Sequence, residues 1–561
     1  MSSRTWSGRE IVMETLVAEG VEYLFGNPGT TELPLMDALE DYPSIRYILT
    51  LQEAIAVSMA DAWAQATGRV GVANLHVGPG LGNGMGSLYN AWEGRTPLVV
   101  TAGQQDTRYR LREPVLWHDL VAMAAPVTKW SVQAESAVEL PELVHRAFKI
   151  AQDPPTGPVF VALPFNVMNE RTARAPIPPS RIWRRAGPDP EGVAEAARLV
   201  LAAERPVVFA GDRVAQSGAA EELVALAERI GADVFGDVLP VQVNAPSGHP
   251  CVRARGFGDH AQVRAAAGDA DLVLLVGGEF FEEVWYVEDA PFPEGAPVIQ
   301  IDPSARNLGR NHRLDCGLFA DPKLALAALV DAVRAGADAG YRDRAAARME
   351  DIRDRKARET AAHRARVERA GAGNRPMSAA RAMHELANAA PEGVIVAREA
   401  ITADSDLGRS FEFHAPGDAI GSRGGGIGQG LPTGVGLKLA RPDRPVLCVS
   451  GDGSALYTIQ ALWTAAHHRV AVVFVILNNR VYRILKYNMN RFRAVAGVEG
   501  RAGSYRHLDL TDPDIDYVSV ARGFGIEGCR VSEPEEVGSA VREAFASGAP
   551  RLIELLVDGS V

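Results

Sequence analysis

Cysteine is scarce in this chain: four residues in 561, Cys251, Cys316, Cys448 and Cys529, with no CxxC spacing. That argues against a disulfide framework or a thiolate zinc site and fits a reducing compartment, so a cytoplasmic location is expected. A basic excess is missing too. Lys and Arg number 58 against 70 Asp and Glu, a net charge of −12, whereas a dedicated nucleic-acid binder is expected to carry a basic block. Long hydrophobic runs are also absent. The longest, residues 470–477, falls far short of the roughly 18–20 residues of a membrane span. The first 14 residues mix Arg4, Arg9 and Glu10 with apolar ones and form no signal-type core. Neither a nucleic acid nor a membrane is an expected partner.

What is present is a recurring alternation of short apolar runs with longer amphipathic stretches, the pattern of βα repeats and parallel sheets. Strands are expected at 23–26, 47–51, 70–75 and 97–102, then at 206–210, 271–277 and 297–301, and again at 393–397, 446–450 and 470–477. A Pro/Arg-rich stretch, 171–188, reads as a linker, and the mixed-charge run 341–370 as an exposed, salt-bridged connecting helix. The fold class expected is α/β, with three doubly wound parallel-sheet domains at 1–175, 188–338 and 375–561.

The strongest local signal is Gly451-Asp452-Gly453-Ser454 followed by Asn478-Asn479. A buried-type strand precedes each, so Asp452 and Asn479, 27 residues apart, fall at the carboxyl ends of consecutive strands of one βαβ unit, where open parallel sheets place ligands. A carboxylate and an amide oxygen make half a shell for Mg²⁺, and the flanking glycines let backbone N–H groups approach a phosphate. A Gly-Asp-Gly alone is only a turn signal; the strand context and the double Asn give it weight.

In that context the motif resembles the diphosphate-binding signature of thiamine diphosphate enzymes, specifically the superfamily of benzoylformate decarboxylase, pyruvate decarboxylase and acetohydroxyacid synthase. The resemblance covers nearly the whole chain and implies pyrimidine-binding, central and diphosphate-binding domains in that order. It implies that Asp452 and Asn479 hold Mg²⁺ by side chains and Val481 by its carbonyl. Thr402 and Ser454 would hold the diphosphate, with Gly453 and Tyr482 among the cofactor contacts. Glu53, in Leu51-Gln52-Glu53-Ala54, resembles the family's activating glutamate; its position alone also suits an acid at a helix N-terminus. Within Gly424-Gly425-Gly426-Ile427-Gly428, the Gly425 carbonyl would accept from the cofactor's amino group and Ile427 would wedge between its two rings, although a flexible glycine loop reads the same way. Glu53 lies about 400 residues from the diphosphate motif, and in this family the two halves meet across a dimer. A homodimer at minimum is implied, and a homotetramer expected.

Two further residues are candidates for catalysis. Thr30, in Asn27-Pro28-Gly29-Thr30-Thr31-Glu32, stands where benzoylformate decarboxylase typically has serine, and equally suits an N-cap. His76 ends a strand and resembles that family's active-site histidine. There are departures as well. Val284 stands where a second histidine is expected, Asn488 replaces an aromatic pocket residue and Ile401 a small polar one. Slower return of a proton without the second histidine would favour attack on a second carbonyl. Arg491, Arg493, Arg501 and Arg506, in a loop over 486–507, read either as a solvated face or as a recognition site for an acidic substrate. The expected activity is decarboxylation of a small-molecule 2-oxo acid, with a carboligase and a non-catalytic cofactor-binding paralogue as alternatives. FAD or ADP in the central domain, as in some relatives, is not favoured by the weak Gly211-Asp212-Arg213 turn.

Overall fold

The structure, a computed structural model, describes residues 4–237, 240–253, 259–280, 285–370, 375–501 and 503–561. Val284 lies outside them.

Three six-stranded parallel sheets organise the chain. The first contains β1 (Tyr23–Gly26), β2 (Arg46–Leu49), β3 (Gly71–Leu75), β4 (Leu98–Gln104), β5 (Trp130–Gln133) and β6 (Val159–Pro164), in the order β2-β1-β3-β4-β6-β5. The second contains β7 (Pro206–Ala210), β8 (Asp233–Gly236), β9 (Val252–Arg253), β10 (Leu272–Val276), β11 (Val298–Asp302) and β12 (Cys316–Phe319), in the order β9-β8-β7-β10-β11-β12. The third contains β13 (Ile395–Glu399), β14 (Ala419–Ile420), β15 (Val446–Gly451), β16 (Val473–Asn478), β17 (Glu527–Val531) and β18 (Arg551–Leu556), in the order β14-β13-β15-β16-β18-β17. The outer two sheets thus share one topology. The central sheet has the other doubly wound order, the one known from dinucleotide-binding folds.

The central strands are continuous apolar runs because helices cover both faces of each sheet. The outer domains share a core: one buried cluster runs from Phe25, Ile55 and Trp63 to Val435, Phe474 and Leu552. Its seam is the helix Glu53–Thr67 against the helix Gly430–Ala440. The 341–370 stretch is helical from Ala339 to Ala370. It is less exposed than its charge suggests, since Tyr341, Ala345, Met349 and Ile352, spaced by three or four, pack into the central core. The 486–507 stretch is not a loop throughout: Arg483–Val495 is a helix. After Gly451 the chain forms two short helices, Asp452–Ala455 and Ala461–His467. Among the described residues no helix is long and apolar enough to cross a membrane.

Candidate active site

Because the strands of each sheet are parallel, their carboxyl ends share one edge. In the first sheet the neighbours β2, β1 and β3 lead there to Glu53, Asn27 and His76. Glu53 opens its helix behind Gln52, whose side chain caps the Ala54 N–H. It is 5% exposed, and its carboxylate accepts from Asn27 Nδ2 at 3.3 Å and Asn83 Nδ2 at 2.9 Å. Among the described residues no cationic side chain pairs with it.

His76 adjoins Gly29 so closely that a Cβ there would lie 2.2 Å from Nδ1. Its Nδ1 lies 2.7 Å from Glu32 Oε2. Glu32 is itself buried and accepts from the Gly29 N–H (2.8 Å), the Gly103 N–H (2.7 Å) and the Thr31 hydroxyl (2.8 Å). A carboxylate so held fixes the imidazole ring and puts the Nδ1 proton toward itself, leaving Nε2 to exchange a proton. The sequence shows Glu32 in the loop with Thr30 but gives it no role; the signal available was an acid three residues after Gly29, the spacing at which a side chain reaches back to the N-cap N–H, as Glu32 does here. Thr30 is not an N-cap. Gly29 occupies that position, Glu32 supplies the side-chain contact, and Thr30 is exposed as the first residue of the turn. The next residue after His76, Val77, is fully buried with φ of 38°. A β-branched residue there is strained, and such strain gathers at functional sites.

The third sheet repeats the layout. Glu399 ends β13, Asp452 follows β15, and Asn479 follows β16. Asp452 is 4% exposed; its Oδ1 accepts from the Gly453 N–H at 2.9 Å and Oδ2 from the Arg480 N–H at 2.7 Å. Arg480 reaches this position by a left-handed turn, φ 61°. Burial pushes the Asp452 carboxyl up to about 6 against these N–H donors, and among the described residues no Lys or Arg side chain neutralises it. Asn479 Oδ1 accepts from the Val481 N–H at 3.0 Å, and the Val481 carbonyl from the Arg483 N–H at 2.9 Å; each oxygen keeps a second lone pair. Ser454 is buried beside Asp452, and the Tyr482 ring packs on Gly453. Thr402 lies in the turn Ile401–Ala403 beyond β13, preceded by a strained Ile401 with φ of 50°. Gly425 is exposed and Ile427 half-buried, in a segment whose Gly426 exchanges two hydrogen bonds with the Asn90 side chain, at 2.8 and 3.0 Å.

The central sheet's carboxyl edge differs. Gly211 meets Gly278 so tightly that a Cβ on Gly211 would fall 2.3 Å from Gly278 Cα. Beside that contact the Glu279 carboxylate is bound by Arg95 of the first domain and by Arg213 and Arg310. Asp302 shares Arg213 at 3.3 Å, and Arg423 of the third domain bonds Asp237 at 2.9 Å and reaches Asp212 at 3.5 Å. The arginines on the helix Arg483–Val495 are engaged as well. Arg491 pairs with Asp259 at 2.6 Å over the Trp285 ring, and Arg493 donates to the carbonyls of Arg501 and Ser504.

Three family models match: the N-terminal TPP binding domain of thiamine pyrophosphate enzymes over residues 6–123, the central domain over 193–329 and the C-terminal TPP binding domain over 403–555. The benzoylformate decarboxylase of Pseudomonas aeruginosa is 32% identical over 97% of each chain. The acetolactate synthase isozyme 3 large subunit of Escherichia coli is 26% identical over 99% of this chain and 95% of its own. Among solved structures, the thiamine diphosphate-dependent 4-hydroxybenzoylformate decarboxylase of Rhodococcus jostii superposes with a TM-score of 0.85 at 29% identity, covering 99% of both chains.

Proposed function

The chain belongs to the thiamine pyrophosphate (thiamine diphosphate) enzyme family, and from that premise we propose that it catalyses non-oxidative decarboxylation of a 2-oxo acid with Mg²⁺ as the diphosphate's partner. The donor set suits the metal. Asp452, Asn479 and the Val481 carbonyl offer oxygens, and among the described residues no cation balances the buried Asp452 carboxylate. Thr402, Ser454 and Gly453 surround the same edge, where Tyr482 closes one side. When bound, thiamine diphosphate supplies the electron sink for the charge released as CO₂ leaves a 2-oxo acid.

The chain's residues divide the remaining work. Glu53, desolvated and held by two amide donors, keeps a carboxyl group where a proton can be passed to the cofactor's ring nitrogen. His76, oriented by Glu32, moves a proton at Nε2 on the substrate side. Thr30 offers a hydroxyl to the same space. Gly425, by its carbonyl, and Ile427, by its side chain, would contact the cofactor's amino group and rings.

One observation carries the inference that the site is shared between two chains. Glu53 lies against Gly80, near the start of the helix Val77–Glu93, while the glycine segment is bound to Asn90, ten residues further along it. At 1.5 Å per residue these points are about 15 Å apart. A single pyrimidine ring does not reach both within one chain. Apolar surface supports the same reading: Leu111 and Val115 in the first domain, and Phe492 and Val495 on the helix Arg483–Val495, are half or more exposed, as expected of faces that a second copy covers. A homodimer is thus the minimal unit, and a homotetramer fits the family. In the central domain, the arginine-filled edge and the Gly211–Gly278 contact support a structural role rather than FAD.

The acetolactate synthases among the relatives favour a second reading, in which the substrate-derived unit joins a second carbonyl. The test is direct. Apoprotein is titrated with thiamine diphosphate and Mg²⁺, then supplied with benzoylformate or pyruvate, with and without an acceptor aldehyde. Saturable uptake with CO₂ and free aldehyde supports decarboxylation; CO₂ with a hydroxyketone supports carboligation; no uptake removes both.

A further inference from the structure

Glu399 is a buried carboxylate that no expectation from the sequence included. It ends β13, and all its partners are uncharged. Oε1 accepts from the N–H groups of Gly428 (2.6 Å) and Gln429 (2.9 Å), and Oε2 from the Gly430 N–H (2.9 Å) and the Ser450 hydroxyl (3.0 Å). Burial pushes its carboxyl up while the three N–H donors and the hydroxyl pull it down. Four donors on two oxygens are what an ionised carboxylate accepts and what an amide does not.

An acid at the start of the helix Gly430–Ala440 is ordinarily a stability device. Two features here go further. The backbone it grips is the end of the glycine segment, where Gly425 and Gly428 hold φ of 76° and 97°. That segment is also held by Thr458, whose hydroxyl donates to the Gly428 carbonyl at 2.5 Å, and by Asn90. Moreover, the fourth donor, Ser450, lies on β15 two residues before Asp452. One carboxylate therefore ties the segment bearing Gly425 and Ile427 to the strand bearing the proposed metal ligand.

We propose that Glu399 is a positioning residue that sets the spacing between the pyrimidine-contacting glycine segment and the diphosphate-contacting end of β15. It touches neither cofactor nor substrate; it acts through Gly428 and Ser450. The inference rests on the cofactor reading above, and the experiment separates the two.

Exchange of the C2 proton of bound thiamine diphosphate is measured by NMR in the Mg²⁺-loaded enzyme, with cofactor affinity by fluorescence quenching and apoprotein melting alongside. Wild type must first take up the cofactor saturably; if it does not, the cofactor reading fails. In E399Q an amide faces three N–H groups, so the exchange rate and kcat are expected to fall together by about tenfold to a hundredfold, with substrate KM little changed. Glu399→Asp, which keeps the charge but shortens the reach, recovers part of the loss. Thr458→Val, which frees the same segment from its other side, shifts exchange in the same direction by less, and with E399D decides the matter if E399Q fails to fold. A lowered melting temperature with wild-type exchange and kcat at saturating cofactor in these variants would make Glu399 a stabilising cap only and overturn the proposal.

Discussion

The carboxyl edges of the outer sheets and that of the central sheet treat buried carboxylates in opposite ways. At the central edge, Glu279 meets three guanidiniums. Burial raises its carboxyl, but Arg213, Arg95 and Arg310 outweigh that and hold it at about 2. Asp302, left with a share of Arg213, is pushed by burial to about 6. At the outer edges Glu53, Glu399 and Asp452 are just as buried, yet their donors are amides, hydroxyls and backbone N–H groups. Carboxylates compensated by arginine are part of the architecture: Glu279 is tied to the first domain through Arg95, and Asp237 and Asp212 to the third through Arg423. A carboxylate left without a cation costs stability and persists where a ligand or a proton completes it.

Substitutions on the two kinds of edge separate these roles. Glu53→Gln is expected to give the largest effect, a loss of kcat of about 10²- to 10⁴-fold, with apoprotein melting unchanged or slightly raised; activity assays with differential scanning calorimetry read both. Glu279→Ala should do the reverse. It strands Arg95 and Arg213 and costs about 3 kcal/mol or more by denaturant unfolding, while the fraction still folded binds thiamine diphosphate as wild type does. A retained melting temperature in that variant, or a collapsed one in E53Q, breaks the comparison.

Glu32→Gln sharpens it within one edge. Its predicted cost is about tenfold in kcat with thiamine diphosphate affinity unchanged, as the imidazole loses the carboxylate that orients it; wild-type kcat would reduce Glu32 to a turn residue. The smallest effect concerns the seam between the outer domains. There His468 Nε2 accepts from the Leu49 N–H at 3.0 Å, and burial lowers its pKa to about 4, aided by His467 and Arg46. The unfolded chain therefore binds more protons than the folded one between about pH 6.5 and 4, and stability falls as pH drops through that window. His468→Gln, which keeps an acceptor but does not titrate, should flatten that fall by less than about 2 kcal/mol in urea unfolding at pH 7 and 4.5.

Much of this edge geometry was legible from residue order. Every strand expected from an apolar run exists to within a few residues, because strands buried on both faces must be continuously apolar. The strand Arg551–Leu556 escaped notice because Arg551 and Glu554 interrupt its run. Glu554 is wholly buried there, bonded to Asn478 and Arg530. Trp130–Gln133 and Cys316–Phe319 lie at sheet edges and are too short and mixed to show a period. Asp452 and Asn479 were readable because turn residues followed strong strands. Glu32 and Glu399 were not, since a carboxylate's partners, the N–H groups of Gly103 or Gly428, come from elsewhere in the fold and leave no local pattern.

The central claim, a cofactor held by the third domain of one chain and activated by the first domain of another, is tested most directly by mixing two inactive variants. E53Q and Asp452→Ala proteins are unfolded together, refolded at equal concentration and assayed with cofactor and substrate. A shared site gives each hybrid dimer one intact pair, Glu53 from one chain and Asp452 from its partner, and activity should return to about a quarter of wild type. If every site is built within a single chain, the mixture stays as inactive as its components.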